Sequence, residues 1–214
     1  MRYDSQSNLR ALLGMTLLEL VLVLAILVIL AGAATSVASS HLAYGRDKAT
    51  RASLAAIRDA IMGTPDKPGY MSDTGNLPVS LTDLFVNPFA PLGRTPNPLL
   101  VNFSPNTGLG WRGPYVLNIN GSYTINNAAG FTSVYGNNND PAVLDAWGNP
   151  IILQVPTSGI PADNQAFARL ISAGPNGAID TPPAFLDSNN KPYPVATVRG
   201  DDIVLFLNHS DSDP

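Results

Sequence analysis

"GMTLLELVLVLAILVILAGAA", residues 14–34, holds the only glutamate of the 214-residue chain, Glu19; every other acidic residue is an Asp. From Leu20 to Ala34 each residue is apolar or Gly, and after Glu19 the next charged residue is Arg46. A helical run of this length spans about 30 Å of hydrocarbon. The stretch therefore predicts a single membrane-spanning segment reaching to about residue 38. Arg2 and Arg10 before it favour a cytoplasmic N-terminus, and Arg46, Lys48 and Arg51 beyond it weaken that bias. A carboxylate inside such a segment is costly, so Glu19 is either a functional group with a partner or a residue that snorkels to the interface near a helix end. A cleaved secretory signal is the competing reading: an Arg-bearing leader precedes the apolar run, and "AGAATSVASS" (31–40) offers small-residue cleavage sites. The length of the run and the interrupting Glu19 favour a retained helix.

The helical pattern continues outward. In "HLAYGRDKATRASLAAIRDAIMG" (41–63), Leu54, Ile57 and Ile61 recur on one face, and Asp47 stands four residues before Arg51 in the favourable polarity for an ion pair. Gly63 and Pro65 form a stop signal. One helix over 15–62 is expected, transmembrane to about 38 and amphipathic beyond. After Gly63 the composition turns to Asn, Gly, Pro and Thr between short apolar runs. "SLTDLF" (80–85) reads as one helical turn with Ser80 or Thr82 as cap. "YVLNINGSYTI" (115–125) reads as a hairpin around the turn-forming Asn120–Gly121. "PIILQV" (150–155), "FARLISA" (167–173) and "DIVLFL" (202–207) read as strands.

Composition excludes several functions. The net charge of −4 and pI near 4.9 argue against nucleic acid, which wants a basic face. No cysteine is present, so no disulfide staples the fold. His41 and His209 are isolated, without ligand-spaced neighbours. No Ser–His–Asp set has a nucleophile-elbow context, "GPNGAID" lacks the Lys and Ser/Thr of a phosphate cradle, and a paired-carboxylate site would have to be built from Asp alone. The chain reads as a non-enzyme.

"LLGMTLLELV" resembles the prepilin signature, a short leader ending in Gly before an apolar residue, a Thr-Leu-Leu-Glu run and a hydrophobic helix. "GWRGPYV" (110–116), "DAWGNPI" (145–151), "LISAGPNGAID" (170–180) and "DDIVLFL" (201–207) follow in the order found in major, G-type pseudopilins of type II secretion systems, a branch of the type IV pilin-like superfamily. The resemblance covers residues 9–62 and about 110–207. It implies a leader over 1–14, the long helix over 15–62 and a periplasmic β-rich domain over 63–214. The implied fold class is α+β, with a long N-terminal helix, membrane-spanning in its first half, packed on a small antiparallel sheet domain with long loops.

The resemblance further implies that a prepilin peptidase cuts after Gly14 and that the new amine of Met15 is N-methylated. Glu19, the fifth residue of the mature chain, would then meet the Met15 ammonium of a neighbouring subunit, because pairing a charge in low dielectric offsets much of its burial cost. Its partners would be further copies of itself, minor pseudopilins, an inner-membrane assembly platform and membrane lipid. Its place would be the bacterial inner membrane, single-pass, with the globular domain in the periplasm. The loop between "SAGPNG" and "DDI" aligns with the family's calcium loop, which would make Asn176, Asp180, Asp201 and Asp202 ligands; the alternative is a plain turn with solvated strand-end acids. Asn176 stands where the family usually has Asp, and Leu13 replaces the usual basic residue before the cut. The usual helix-breaking proline is absent from "TSVASS" (35–40), and 117–144 and 181–200 are unusually long and read as surface insertions. Trp111 and Trp147 read as core aromatics pinning irregular loops. The expected function is a structural subunit of a pseudopilus that drives protein export. The alternatives are a minor pseudopilin or adhesive type IV pilus subunit, and a monomeric membrane-anchored binding module.

Overall fold

A computed structural model describes residues 15–89, 100–156, 166–183 and 199–208, the side chains of 33–39 excepted. The chain divides into two compact units, Met1–Tyr44 and Gly45–Pro214. Helix α1, Leu17–Met62, begins in the first and ends in the second. At its start the Thr16 hydroxyl oxygen accepts the Glu19 backbone N–H at 3.2 Å, the pattern of an N-cap that satisfies one otherwise orphaned donor.

In the first unit the large apolar side chains from Leu17 to Leu30 are 43–83% exposed in a single copy of the chain. Two expectations are corrected here. Among the described residues no helix is long and apolar enough to cross a membrane. That overturns the membrane-spanning first half of the helix, and with it the single-pass inner-membrane placement with a cytoplasmic N-terminus and a periplasmic domain. The stretch also carries the Glu19 carboxylate near its start, a group that is costly in hydrocarbon.

The second unit is built on the far half of α1. Leu54, Ile57 and Ile61 are at most 2% exposed, as their spacing requires, and Asp47 and Arg51 pair at 2.9 Å on the outer face. Gly63, at φ 86, ends the helix and opens a two-residue hairpin of β1 (Gly63–Thr64) and β2 (Lys67–Pro68). Helix α2 (Tyr70–Thr74) and a 3₁₀ turn (Leu81–Leu84) follow. Ser80 is the N-cap of that turn, and Asp83 reaches back to accept the Val79 N–H at 2.8 Å.

The centre is an antiparallel three-stranded sheet in the order β5 (Ile152–Gln154), β6 (Arg169–Ser172), β7 (Ile203–Phe206). All three strands fall where the apolar runs place them. Alternate side chains point to opposite faces of a strand, and both faces here are covered. Leu153, Leu170 and Leu205 pair across the strands and join the helix-side core with Leu54, Ile57 and Leu84. Ile152, Ile171 and Val204 pair across the other face and join Tyr123, Phe131 and Ala142.

This second core corrects two expectations. The stretch 117–144 is no surface insertion: it supplies the layer that buries the back of the sheet. Nor do residues 115–125 form a local hairpin. Asn120 instead clasps a distant stretch of backbone, its Oδ1 accepting the Leu144 N–H at 2.6 Å. Strand β3 (Gly121–Ser122) pairs antiparallel with β4 (Pro141–Ala142) rather than with its sequence neighbour. The Asn120 side chain bonds both backbone groups of Leu144, at 2.6 and 3.4 Å, in place of a local turn.

Candidate functional site

The pairing of Ser172 with Ile203 brings the segment after β6 beside the segment before β7, so the two halves of the expected calcium loop meet. Gly174 makes the meeting possible. Its φ is 63, and a Cβ there would collide with the Asp201 carbonyl oxygen. Asn176, Asp180, Asp201 and Asp202 are all drawn into this one place. The Asn176 N–H donates to Asp201 Oδ2 at 2.9 Å, and its side-chain amide donates to Asp180 Oδ2 at 2.9 Å. Asp202 Oδ2 accepts the backbone N–H groups of Asp180 and Thr181 at 3.0 and 2.7 Å.

One atom is left over. Asp202 is 6% exposed, and its Oδ1 is buried without a hydrogen-bond partner. Burial pushes its carboxyl up to about 6; the nearby Thr181 side chain and the two backbone donors favour the charged form, and Asp180 adds repulsion. An orphaned carboxylate oxygen among three further oxygen-bearing side chains is the donor chemistry of a hard cation such as calcium. Among the described residues no three acidic or histidine side chains already converge as a metal cage. Asp180 and Asp201 each give one oxygen, Oδ2, to an Asn176 donor.

The loop rests on a support that the sequence reading missed. Asp145 Oδ1 accepts the N–H groups of Trp147 and Asn149, both at 2.9 Å, which folds "DAWGN" into a turn. Its Oδ2 accepts the Ser172 hydroxyl at 2.7 Å, and Ser172 Oγ in turn accepts the Gly174 N–H at 3.2 Å. Asn149 Nδ2 donates to the Gly174 carbonyl at 3.3 Å. The whole turn is anchored to α1 by buried Thr50, whose hydroxyl oxygen accepts the Ala146 N–H at 3.1 Å. The signal was present as an Asx-turn residue two positions before Trp147, but its role depends on the distant Ser172.

A second buried polar cluster is structural. Asp73, 1% exposed, takes both Arg112 nitrogens of a bidentate pair and the Tyr115 hydroxyl, the latter at 2.9 Å. Asp73 raises the Arg112 pKa through this pairing, and burial raises that of Tyr115. Trp111 Nε1 donates to the Asp83 carbonyl at 3.1 Å, and both Trp111 and Trp147 pack against the helix-side core, the structural role expected of them. Met15 and Glu19 belong to the first unit, where Met15 is 59% exposed and Glu19 is exposed on the first turn of α1. Gly14 lies outside the described residues.

The raised Asp202 carboxyl has a measurable consequence. The folded state holds this proton up to about pH 6, whereas an unfolded Asp releases it near ~3.9. Between those values the folded chain binds more protons, so stability falls as pH rises through that window and stays lower above it. In calcium-free buffer the loss attributable to Asp202 is expected to be on the order of 3 kcal/mol, read as the difference between wild type and Asp202→Asn in urea titrations from pH 4 to 7. Parallel pH curves for the two proteins would exclude it.

Comparison with protein-family profiles, with curated proteins and with solved structures gives no match.

Proposed function

We propose that the chain is a filament-forming subunit of the pseudopilin kind, serving protein export in type II secretion. The observation that carries this reading is the start of α1: an apolar helix surface exposed in a single copy, bearing one carboxylate, Glu19. An exposed apolar surface of this extent calls for cover, and like helices from further copies supply it by ridge-and-groove packing. Burying the surface also buries Glu19, and an unpaired buried charge is strongly destabilising. A terminal ammonium on Met15, created by a prepilin-type peptidase cutting after Gly14 and then N-methylated, is the counter-charge. The chemistry asked of the chain is association rather than catalysis, with a prepilin peptidase, minor pseudopilins and an assembly platform as partners. In the same reading the loop pair around Asn176, Asp180, Asp201 and Asp202 holds calcium, which satisfies Asp202 Oδ1 and fixes the surface that the subunit presents.

Glu19→Ala and Glu19→Gln are expected to be cleaved after Gly14 and to fold normally, yet to lose filament assembly, because each leaves the Met15 ammonium unpaired. Crosslinking of filaments in cells overexpressing each variant measures this, with N-terminal sequencing of the same material. Wild-type filament yield from both correctly processed variants would overturn the pairing. A mature start near Ser36 or Ser39 would make the apolar run a secretory signal.

A further inference from the structure

We infer that Asn176–Gly177 is a self-modifying site: the Gly177 backbone nitrogen attacks Asn176 Cγ, ammonia leaves, and water opens the resulting succinimide to aspartate or isoaspartate at position 176. In the first step the Gly177 N–Cγ bond forms and the Cγ–Nδ2 bond breaks, the Gly177 amide proton leaving with the departing nitrogen. In the second, water adds across one of the two imide C–N bonds. Opening at the new bond restores the original backbone with an aspartate side chain; opening at the old one leaves isoaspartate. No oxidant or reductant is needed.

The geometry favours this position. Gly177 carries no side chain to hinder its nitrogen, sits at φ 71 in the turn over 174–177, and its N–H makes no hydrogen bond among the described residues. Asn176 Oδ1 accepts the Ala178 N–H at 2.6 Å. That bond folds the side chain back over the Gly177 backbone and polarises the carbon to be attacked. Asn176 Nδ2, the leaving nitrogen, donates to Asp180 Oδ2 at 2.9 Å, which orients the amide. The chain carries its own control in Asn120–Gly121. There the Asn side chain is bonded not over its own Gly but to the Leu144 backbone, 24 residues on, at 2.6 and 3.4 Å, and Gly121 is paired in β3.

The consequence rests on the reading of this loop as a calcium site. Aspartate at 176 adds an anionic oxygen beside Asp180, Asp201 and Asp202, whereas isoaspartate lengthens the backbone by one methylene and misplaces the donors. Purified full chain is incubated in mildly alkaline, calcium-free buffer and mapped by peptide mass spectrometry. The amide-to-acid mass gain is expected at Asn176 and not at Asn120; no gain at Asn176, or equal rates at the two, would overturn the inference. In parallel, calcium is titrated into wild type and Asn176→Asp, and the variant is expected to bind roughly tenfold tighter, as calcium sites are tuned by ligand charge. Equal affinity would remove the functional consequence. If neither protein responds to calcium, the metal reading of the loop falls, while the mass data still decide the modification.

Discussion

Replacing Asp73 by Ala is expected to cost about 2–3 kcal/mol of folding stability, the range for losing hydrogen bonds to a charged group and leaving a buried hydroxyl unpaired. Asp73 is 1% exposed and serves two groups brought by one motif: Arg112, bidentate, and the Tyr115 hydroxyl. Its loss leaves the guanidinium without its counter-charge and the Tyr115 hydroxyl without an acceptor. That hydroxyl is itself the acceptor of the Arg112 backbone N–H at 3.0 Å, so the break spreads into the chain that carries Trp111. Arg112→Ala is expected to cost more, about 3–5 kcal/mol, because it leaves the Asp73 carboxylate, 1% exposed, buried without its counter-charge. Urea titrations of the two variants measure this. A loss under about 1 kcal/mol for Asp73→Ala, the level of an ordinary exposed ion pair, would show that the cluster contributes little.

Phe131→Ala is the second large effect, about 3–5 kcal/mol from lost transfer energy and the cavity left behind. Phe131 is 4% exposed, meets the Tyr123 ring edge-on at 6.2 Å between centroids, and lies over the face of the sheet made by Ile152, Ile171 and Val204. Leu117, in the same long stretch but 80% exposed, is the control; its replacement by Ala is expected to stay within about 0.5 kcal/mol. Thermal melts of both would settle whether 117–144 is part of the core. Near-wild-type stability for Phe131→Ala would return that stretch to the surface.

Local patterns were legible where one physical cause dominates. The apolar spacing of Leu54, Ile57 and Ile61, the stop at Gly63 and the three apolar runs that become β5, β6 and β7 depend on periodicity and backbone freedom alone. So does the Ser80-capped turn. The meeting of Asn176, Asp180, Asp201 and Asp202 was legible through resemblance rather than through spacing. What escaped depends on partners far along the chain. Asn120–Gly121 has the composition of a tight turn, but its side chain finds Leu144, 24 residues on. Asp145 looks like a turn former, yet its second oxygen anchors Ser172. Asp73 gave no signal, because its partners lie 39 and 42 residues away. The 117–144 stretch misled for a related reason: its Asn and Gly content is that of a loop, and its buried residues Tyr123, Phe131 and Ala142 are too far apart to set a period.

The double-sided sheet limits how this sequence can vary. Along β6 consecutive residues serve different layers, Leu170 the helix side and Ile171 the side covered by 117–144. A point substitution there disturbs one layer and leaves the other intact. Inserting or deleting a single residue within Arg169–Ser172 exchanges the two sets at once, delivering each side chain to the cavity shaped for its neighbour. Changes of length are therefore tolerable in the loops that flank the sheet and ruinous within its central strand, even where every residue type is kept.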